Sequence, residues 1–114
     1  MQDSLICHYF EEEKPYLNPE LNLSILAELL DMKPKQVSLK INQNFSKNFY
    51  DLINFYRVKE FQECVKSNNN QKLSLLGLAY NCGFNSKSTF NSVFKKQTKL
   101  TPTQYIKTLK DLSK

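Results

Sequence analysis

The sequence predicts an all-α fold of about seven helices, in which one long helix joins two pairs of shorter helices. Only two glycines and four prolines interrupt the 114 residues, and so few breakers favour long helices over many short strands. Hydrophobic residues make up 40% of the chain and charged residues 24%, which is typical of globular domains. This length allows one domain with a real core but not two independent domains.

Turn signals divide the first part of the chain into three predicted helices. The first covers about residues 3–14 and ends at the break 15–22, which contains two prolines. Ser24 is then expected to cap a short helix that runs through Asp31. A third helix is expected from Pro34 to about residue 44, because proline at the first helical position loses no intrahelical hydrogen bond.

Four more helices are expected in the second part of the chain. A long one covers about residues 49–66, and a short one covers about residues 73–81 after a polar tract. Gly83 closes the short helix, as a left-handed residue at a helix end does. Asn85 and Ser86 cap the next helix, over about residues 87–98. The last helix starts at Thr101–Gln104, where a Thr cap, a proline and a Gln form a start signal, and it reaches about Leu112.

Two parts of the chain repeat the same pattern. A short helix containing Ala27 precedes a helix with the inward pair Val37 and Ile41, and a short helix containing Ala79 precedes a helix with the inward pair Phe90 and Phe94. A short helix, a tight turn and a second helix with an apolar pair form the helix-turn-helix pattern. We therefore divide the chain into four segments: an acidic leader with the first helix (1–22), a first helix-turn-helix unit (23–48), a connecting helix (49–66), and a second unit with the C-terminal helix (73–114).

Two such units joined by a connecting helix are stronger evidence for DNA binding than one unit alone. One such unit is weak evidence for DNA binding, since any pair of antiparallel helices can share its pattern. A helix of about 18 residues is on the order of 27 Å long, and successive major-groove faces on one side of DNA are roughly 34 Å apart. The sequence therefore predicts two recognition helices in adjacent grooves without a dimer partner.

Charge is distributed unevenly along the chain. Residues 1–33 hold two lysines against seven acidic residues, a net charge of −5, whereas residues 34–114 hold fourteen basic residues against four acidic ones, a net charge of +10. A basic body is typical of proteins that bind nucleic acids. A lysine-rich globular protein with no such partner has the same charge, so charge alone leaves both interpretations open.

Neither a metal site nor a membrane segment is expected. The three cysteines (Cys7, Cys64 and Cys82) form no closely spaced pair, and His8 is the only histidine, so we expect reduced thiols without a metal or other cofactor. No apolar run approaches the roughly 20 residues of a membrane span. The acidic N-terminus lacks the basic start of a signal peptide. These features predict a cytoplasmic location without membrane contact.

The second unit resembles a known family. Residues 83–96, GFNSKSTFNSVFKK, and residues 100–105, LTPTQY, are similar to the second helix-turn-helix of the AraC/XylS family's C-terminal DNA-binding domain, and the resemblance extends over about residues 21–108. It implies sequence-specific DNA binding by a bacterial transcription regulator, with double-stranded DNA as the partner. The family often has glycine where this chain has Asp31, Ser46 and Lys99, so local strain or altered turns are expected there.

The resemblance also implies partners beyond DNA. A regulatory region that dimerises or senses a signal usually precedes such a domain, so we expect this chain to be the C-terminal part of a larger regulator. RNA polymerase is a further candidate partner. The competing interpretation is an all-α protein-interaction module without specific DNA binding. An enzyme is not expected, because the sequence shows neither a nucleophile paired with a base nor a glycine-rich phosphate loop.

Candidate DNA-contacting residues lie on the second helix of each unit. Lys35 is suited to guanine and Asn91 to adenine, whereas Leu39 is expected either to meet a thymine methyl group or to pack in the core. Ser86 is expected to cap its helix and to offer its backbone N–H to a phosphate. The candidates in the first unit are Lys35, Gln36, Ser38, Leu39 and Lys40; those in the second are Ser86, Lys87, Ser88, Thr89, Asn91, Ser92, Lys95 and Lys96, with Lys99 nearby.

Other prominent side chains are assigned to the interior. Helical spacing turns five aromatic residues inward, so they are expected in the core and not as a platform for stacking bases. Arg57, near Asn54 and Asp51 on the connecting helix, is expected to tie the two units together rather than contact DNA. The five aromatic residues are Phe49, Phe84, Phe90, Phe94 and Tyr105.

Overall fold

The computed structural model describes residues 5–67 and 74–112, and these form seven α-helices and one short 3₁₀ helix. The described residues contain no strand, which confirms the predicted all-α fold. No helix among them combines the length and apolar character needed to cross a membrane. The helices are α1 (Leu5–Glu13), the 3₁₀ helix (Pro15–Leu17), α2 (Leu23–Leu30), α3 (Pro34–Phe45), α4 (Phe49–Ser67), α5 (Leu75–Asn81), α6 (Lys87–Thr98) and α7 (Pro102–Leu112).

Local capping determines where most helices begin. Ser86 caps α6 as predicted, since its Oγ accepts a hydrogen bond from the Thr89 N–H at 3.0 Å. At the start of α7, the Thr101 N–H donates to Gln104 Oε1 at 2.8 Å, and the Gln104 N–H donates to Thr101 Oγ1 at 3.1 Å. Each bond satisfies a backbone group that has no partner inside its helix.

Two helix starts differ from the prediction. Asn22, not Ser24, caps α2: its Oδ1 accepts from the Ile25 N–H at 2.8 Å. Ser24 lies inside the first turn, where it cannot act as the cap. The fifth helix was predicted to begin at residue 73, but it begins at Leu75 and is capped by Ser74. Residue 73 and most of the polar tract predicted to precede the helix lie outside the described residues.

The long helix α4 packs against a different hydrophobic core at each end. Near its N-terminus, Leu52, Ile53 and Tyr56 join a core built by α1, α2 and α3. Near its C-terminus, Val58 and Phe61 join a core built by α5, α6 and α7. A helix turns about 100° per residue, so Ile53 and Val58 point roughly 140° apart. One helix thereby carries both units on largely different faces.

Aromatic rings fill both cores, as predicted. The Phe61 ring lies 5.0 Å from that of Phe90 and 5.5 Å from that of Phe94, between ring centroids. All five aromatic residues assigned to the interior are buried. The alanines of the two repeats, Ala27 and Ala79, are also buried, which permits the close helix crossings expected of a helix-turn-helix.

Arg57, in the middle of α4, joins the connecting helix to the segment around the 3₁₀ helix. Its Nε donates to the Tyr16 carbonyl oxygen at 2.7 Å, and its Nη2 donates to the Asn18 carbonyl oxygen at 3.0 Å. Its partners are thus backbone carbonyls at the 3₁₀ helix and not side chains of its own helix. Burial lowers the pKa of the guanidinium to about 10. This value is still well above neutral pH, so the group stays charged.

Gly83, in the turn of the second unit, lies directly on this hydrogen bond. Its φ of +106° belongs to a region that L side chains rarely adopt, and a Cβ there would overlap the Tyr16 carbonyl oxygen and approach Arg57 Nε to 2.6 Å. Only a glycine lets the two chain segments come this close. The predicted left-handed helix end is confirmed, and it also closes the contact between the units.

Among residues 5–67 and 74–112, four others adopt left-handed backbone conformations without being glycine. Asp31, Ser46 and Lys99 end α2, α3 and α6 with φ values of 58°, 55° and 70°, and Lys14, between α1 and the 3₁₀ helix, has φ 48°. The first three are the positions where the sequence comparison with the AraC/XylS family expected glycine. An L residue in this region costs roughly 1–2 kcal/mol, so each turn is strained.

We expect Gly83→Ala to lower the free energy of unfolding by at least about 2 kcal/mol, because the new Cβ combines an unfavourable φ with overlap of buried backbone. Urea unfolding followed by circular dichroism measures this. Gly77→Ala is the matched control, since Gly77 lies within α5 and has no positive φ. A loss from Gly83→Ala no larger than that from the control would contradict the proposed contact.

We expect Lys99→Gly to raise the free energy of unfolding by about 0.5–1 kcal/mol, because the relief of left-handed strain exceeds the extra chain entropy of glycine. Lys99→Ala removes the same charge but keeps the strained φ, so it should not stabilise the chain. Thermal unfolding of both variants separates backbone strain from charge. Equal stabilisation by glycine and alanine would show that charge is responsible.

Candidate nucleic-acid interface

The helix α3 presents its candidate residues to solvent. Val37 and Ile41 are fully buried in the first core, and this fixes which side of the helix faces outward. Leu39 is 58% exposed, so it does not pack in the core, which was the alternative role for this residue. The other candidates of this helix, Lys35, Gln36, Ser38 and Lys40, are exposed as well.

Gln36, a candidate DNA-contacting residue, also has a structural role. Its Oε1 accepts a hydrogen bond from the Lys33 N–H at 3.0 Å, across the start of α3. This bond holds the first turn, where a side chain must satisfy a backbone donor. Gln36 thus stabilises the helix end that carries Lys35.

The helix α6 is arranged in the same way. Phe90 and Phe94 are buried in the second core and take the positions of Val37 and Ile41 in the repeat. Ser86 is half-buried, because its side chain caps the helix. The remaining candidates of this helix, Lys87, Ser88, Thr89, Asn91, Ser92, Lys95 and Lys96, are all exposed.

Charge distinguishes α3 and α6 from the long helix between them. Neither helix contains an acidic residue, while α3 carries two lysines and α6 carries three. By contrast, α4 contains Asp51, Glu60 and Glu63. The lysines of such an acid-free surface attract a polyanion, and the small polar side chains can form hydrogen bonds with it.

The internal repeat adds Asn42 and Gln43 to the candidates named from the sequence. In the repeat, Val37 corresponds to Phe90, so Asn42 and Gln43 correspond to the candidates Lys95 and Lys96. Both are exposed on α3, next to the face that carries Leu39. The register of the internal repeat was the signal that would have identified them.

An open cleft of about 940 Å³ lies between the two units. One face of α4, including Asp51, Phe55 and Lys59, forms one side, and Ser92 and Lys96 of α6 line another. Ser46, at the end of α3, lies on the rim. The cleft therefore connects the C-terminal end of one candidate helix to the middle of the other.

The two cysteines of the second core are not activated nucleophiles. Burial and the neighbouring Cys64 and Glu60 raise the pKa of Cys82 to about 12, and burial and Glu60 also raise the pKa of Cys64. Cys82 is only 1% exposed. A reactive cysteine needs the opposite, an accessible thiol with a lowered pKa.

Comparison with known proteins gives the same fold throughout. The sequence profile of a family described as helix-turn-helix domain matches residues 26–108. No curated protein sequence matches the chain significantly.

Solved structures with this fold come from several bacteria. The C-terminal domain of AraT, a response regulator from Geobacillus stearothermophilus, is 25% identical with a TM-score of 0.78, over 95% of this chain and 88% of that one. The C-terminal domain of the two-component response regulator yesN from Fusobacterium nucleatum is 26% identical with a TM-score of 0.73, over 90% and 99%. A DNA-binding transcriptional dual regulator from Escherichia coli K-12 is 22% identical and shares the fold, with a TM-score of 0.76 over 93% and 98%.

We expect Cys82 to resist alkylation by iodoacetamide in the folded chain at pH 8. The raised pKa keeps the thiol protonated well above that pH, since the thiolate forms only as pH approaches about 12. Mass spectrometry of tryptic peptides measures the modified fraction with time, and the same chain in urea is the control. Rapid native labelling at Cys82 would contradict the burial and the pKa.

Proposed function

Because the chain belongs to the AraC-type family of helix-turn-helix domains, we propose that it is the DNA-binding domain of a transcription regulator and binds a specific duplex sequence. In this proposal α3 and α6 enter two successive major grooves on one side of the DNA. The observation that carries it is that the same helix, α4, holds two acid-free helices whose polar faces are exposed.

The dimensions of the chain support two grooves rather than one. With 19 residues, α4 is about 28 Å long. The described part of the molecule measures 47 Å along its longest axis, which exceeds the roughly 34 Å between successive major-groove faces. Modest bending of the DNA would make up the difference between α4 and the groove spacing.

Individual residues are assigned by their chemistry and position. In α3, Lys35 can donate to the O6 and N7 of guanine, and the exposed Leu39 can contact a thymine methyl group. In α6, Asn91 can form two hydrogen bonds with adenine N6 and N7. The exposed lysines Lys95 and Lys96 are assigned to phosphates, which position the helix without reading sequence.

The start of α6 adds a site for backbone phosphate. Ser86 occupies the cap position, and the first turn contains no acidic residue to compete for an anion. Lys87 adds a positive charge beside the free backbone N–H groups of this first turn. The positive end of a helix dipole attracts phosphate, so this turn is expected to fix the depth at which α6 enters its groove.

We expect selection from a randomised duplex pool at about 100 mM salt to enrich one motif of two blocks about ten base pairs apart. Asn91→Ala should relax base preference in one block and Lys35→Ala in the other, each by about 1–3 kcal/mol. Asn81→Ala and Lys107→Ala are matched controls, because both residues are exposed and lie outside α3 and α6.

The pattern of relaxation decides the proposal. If both substitutions affected the same block, the two helices would not read separate grooves. If the pool yielded no motif and binding disappeared with salt, sequence-specific binding would be excluded for this chain, and the protein-interaction module would be the better interpretation.

A further inference from the structure

We propose that the cleft between the two units is a third contact region, which binds backbone phosphates of the DNA between the two major grooves. Lys47 and Lys59 are assigned as new phosphate-binding residues there, beside Lys96. This inference rests on the proposed function and extends it to two lysines outside both recognition helices.

The position of the cleft favours DNA as its occupant. Ser46, which lines the cleft, ends α3, and Ser92, which also lines it, belongs to the exposed face of α6. A duplex that contacts both recognition helices is therefore expected to pass the cleft. Two successive major grooves on one side of a duplex are separated by a minor groove bordered by both phosphate backbones, and this segment would lie opposite the cleft.

The charges of the cleft suit phosphate. Its lining contains three lysines, Lys47, Lys59 and Lys96, but only one acidic residue, Asp51. The amide side chains Asn54, Gln62 and Gln97 also line it and can donate to phosphate oxygens. The surplus comes from Lys47, just before α4, and from Lys96 of α6, because on α4 itself Lys59 is balanced by Asp51.

Phe55 positions one of these lysines. The Lys47 ammonium group lies 5.1 Å from the centre of the Phe55 ring, within the range of a cation–π interaction. The ring is 41% exposed and lines the cleft. In this proposal the exposed Phe55 ring keeps the flexible Lys47 side chain near the bound phosphate. Because the lysine is already held there, the entropic cost of the phosphate contact is lower.

The test measures how strongly affinity depends on salt. Lys59→Gln, Lys47→Gln and the full chain are titrated with the selected duplex, and with an unrelated duplex of equal length, from 50 to 300 mM salt. Each lost phosphate contact should reduce the slope of log K against log salt by about 0.9 and lower affinity about five-fold near 150 mM salt. Base preference in both blocks should not change. The matched control, Lys107→Gln, removes an exposed lysine that does not line the cleft, and it should leave the slope unchanged.

Chemically modified DNA tests the location directly. When the phosphates between the two blocks are replaced by uncharged methylphosphonates, the full chain should bind more weakly, and Lys59→Gln should cause no further loss. Phe55→Leu should weaken binding in the unaltered chain but not in Lys47→Gln, because the ring acts through that lysine. Circular dichroism confirms that each variant remains folded.

The outcomes separate this inference from the proposed function. A two-block motif with unchanged slopes for Lys47→Gln and Lys59→Gln overturns the cleft contact and leaves specific binding in place. A reduced slope on the unrelated duplex without any motif overturns sequence specificity and supports the phosphate contact. An effect of Lys59→Gln that persists with methylphosphonate DNA assigns the lysine to another partner and overturns the inference.

Discussion

The architecture depends on the hydrogen bond between Arg57 and the Tyr16 carbonyl oxygen, covered by Gly83. This bond brings the 3₁₀ helix, the middle of α4 and the turn between α5 and α6 to one point. Removing the arginine would leave the part-buried Tyr16 carbonyl oxygen without this donor, and losing one partner of such a bond costs more than the bond itself contributes. The second unit thus has, through Gly83, a fixed contact with the segment that precedes the first unit, in addition to their common helix.

The orientation of α3 and α6, the proposed recognition helices, follows from α4. The helix has no single apolar stripe, because its two ends bury different faces, with Leu52 and Ile53 in the first core and Val58 and Phe61 in the second. Each core then holds one recognition helix by two side chains of its repeat. The remaining surface of α4 stays open, and this surface forms the side of the cleft between the units.

The fold was largely predictable because most of its determinants are local. Capping by Ser86 and Thr101, the proline that starts α3 and the periodic pairs Phe90/Phe94 each act within a few residues, so the sequence displays them directly. The partners of Arg57 lie about 40 residues away and are backbone atoms, which no side-chain pattern reveals. The exposed side chains of the candidate site followed from the inward pairs, whereas the cleft that Lys47, Phe55 and Lys59 share with α6 is formed only by tertiary packing.

A stiff helix between two binding elements has a consequence for avidity. Once one unit is engaged, α4 holds the other at a fixed distance, so its effective concentration is high at one spacing and close to zero at others. A flexible linker would tolerate many spacings. One inserted base pair rotates the second block by about 34–36° around the duplex and moves it about 3.4 Å along the axis. In the proposed mode of binding, the stiffness of α4 would thus make sites differ by their internal spacing as well as by their bases.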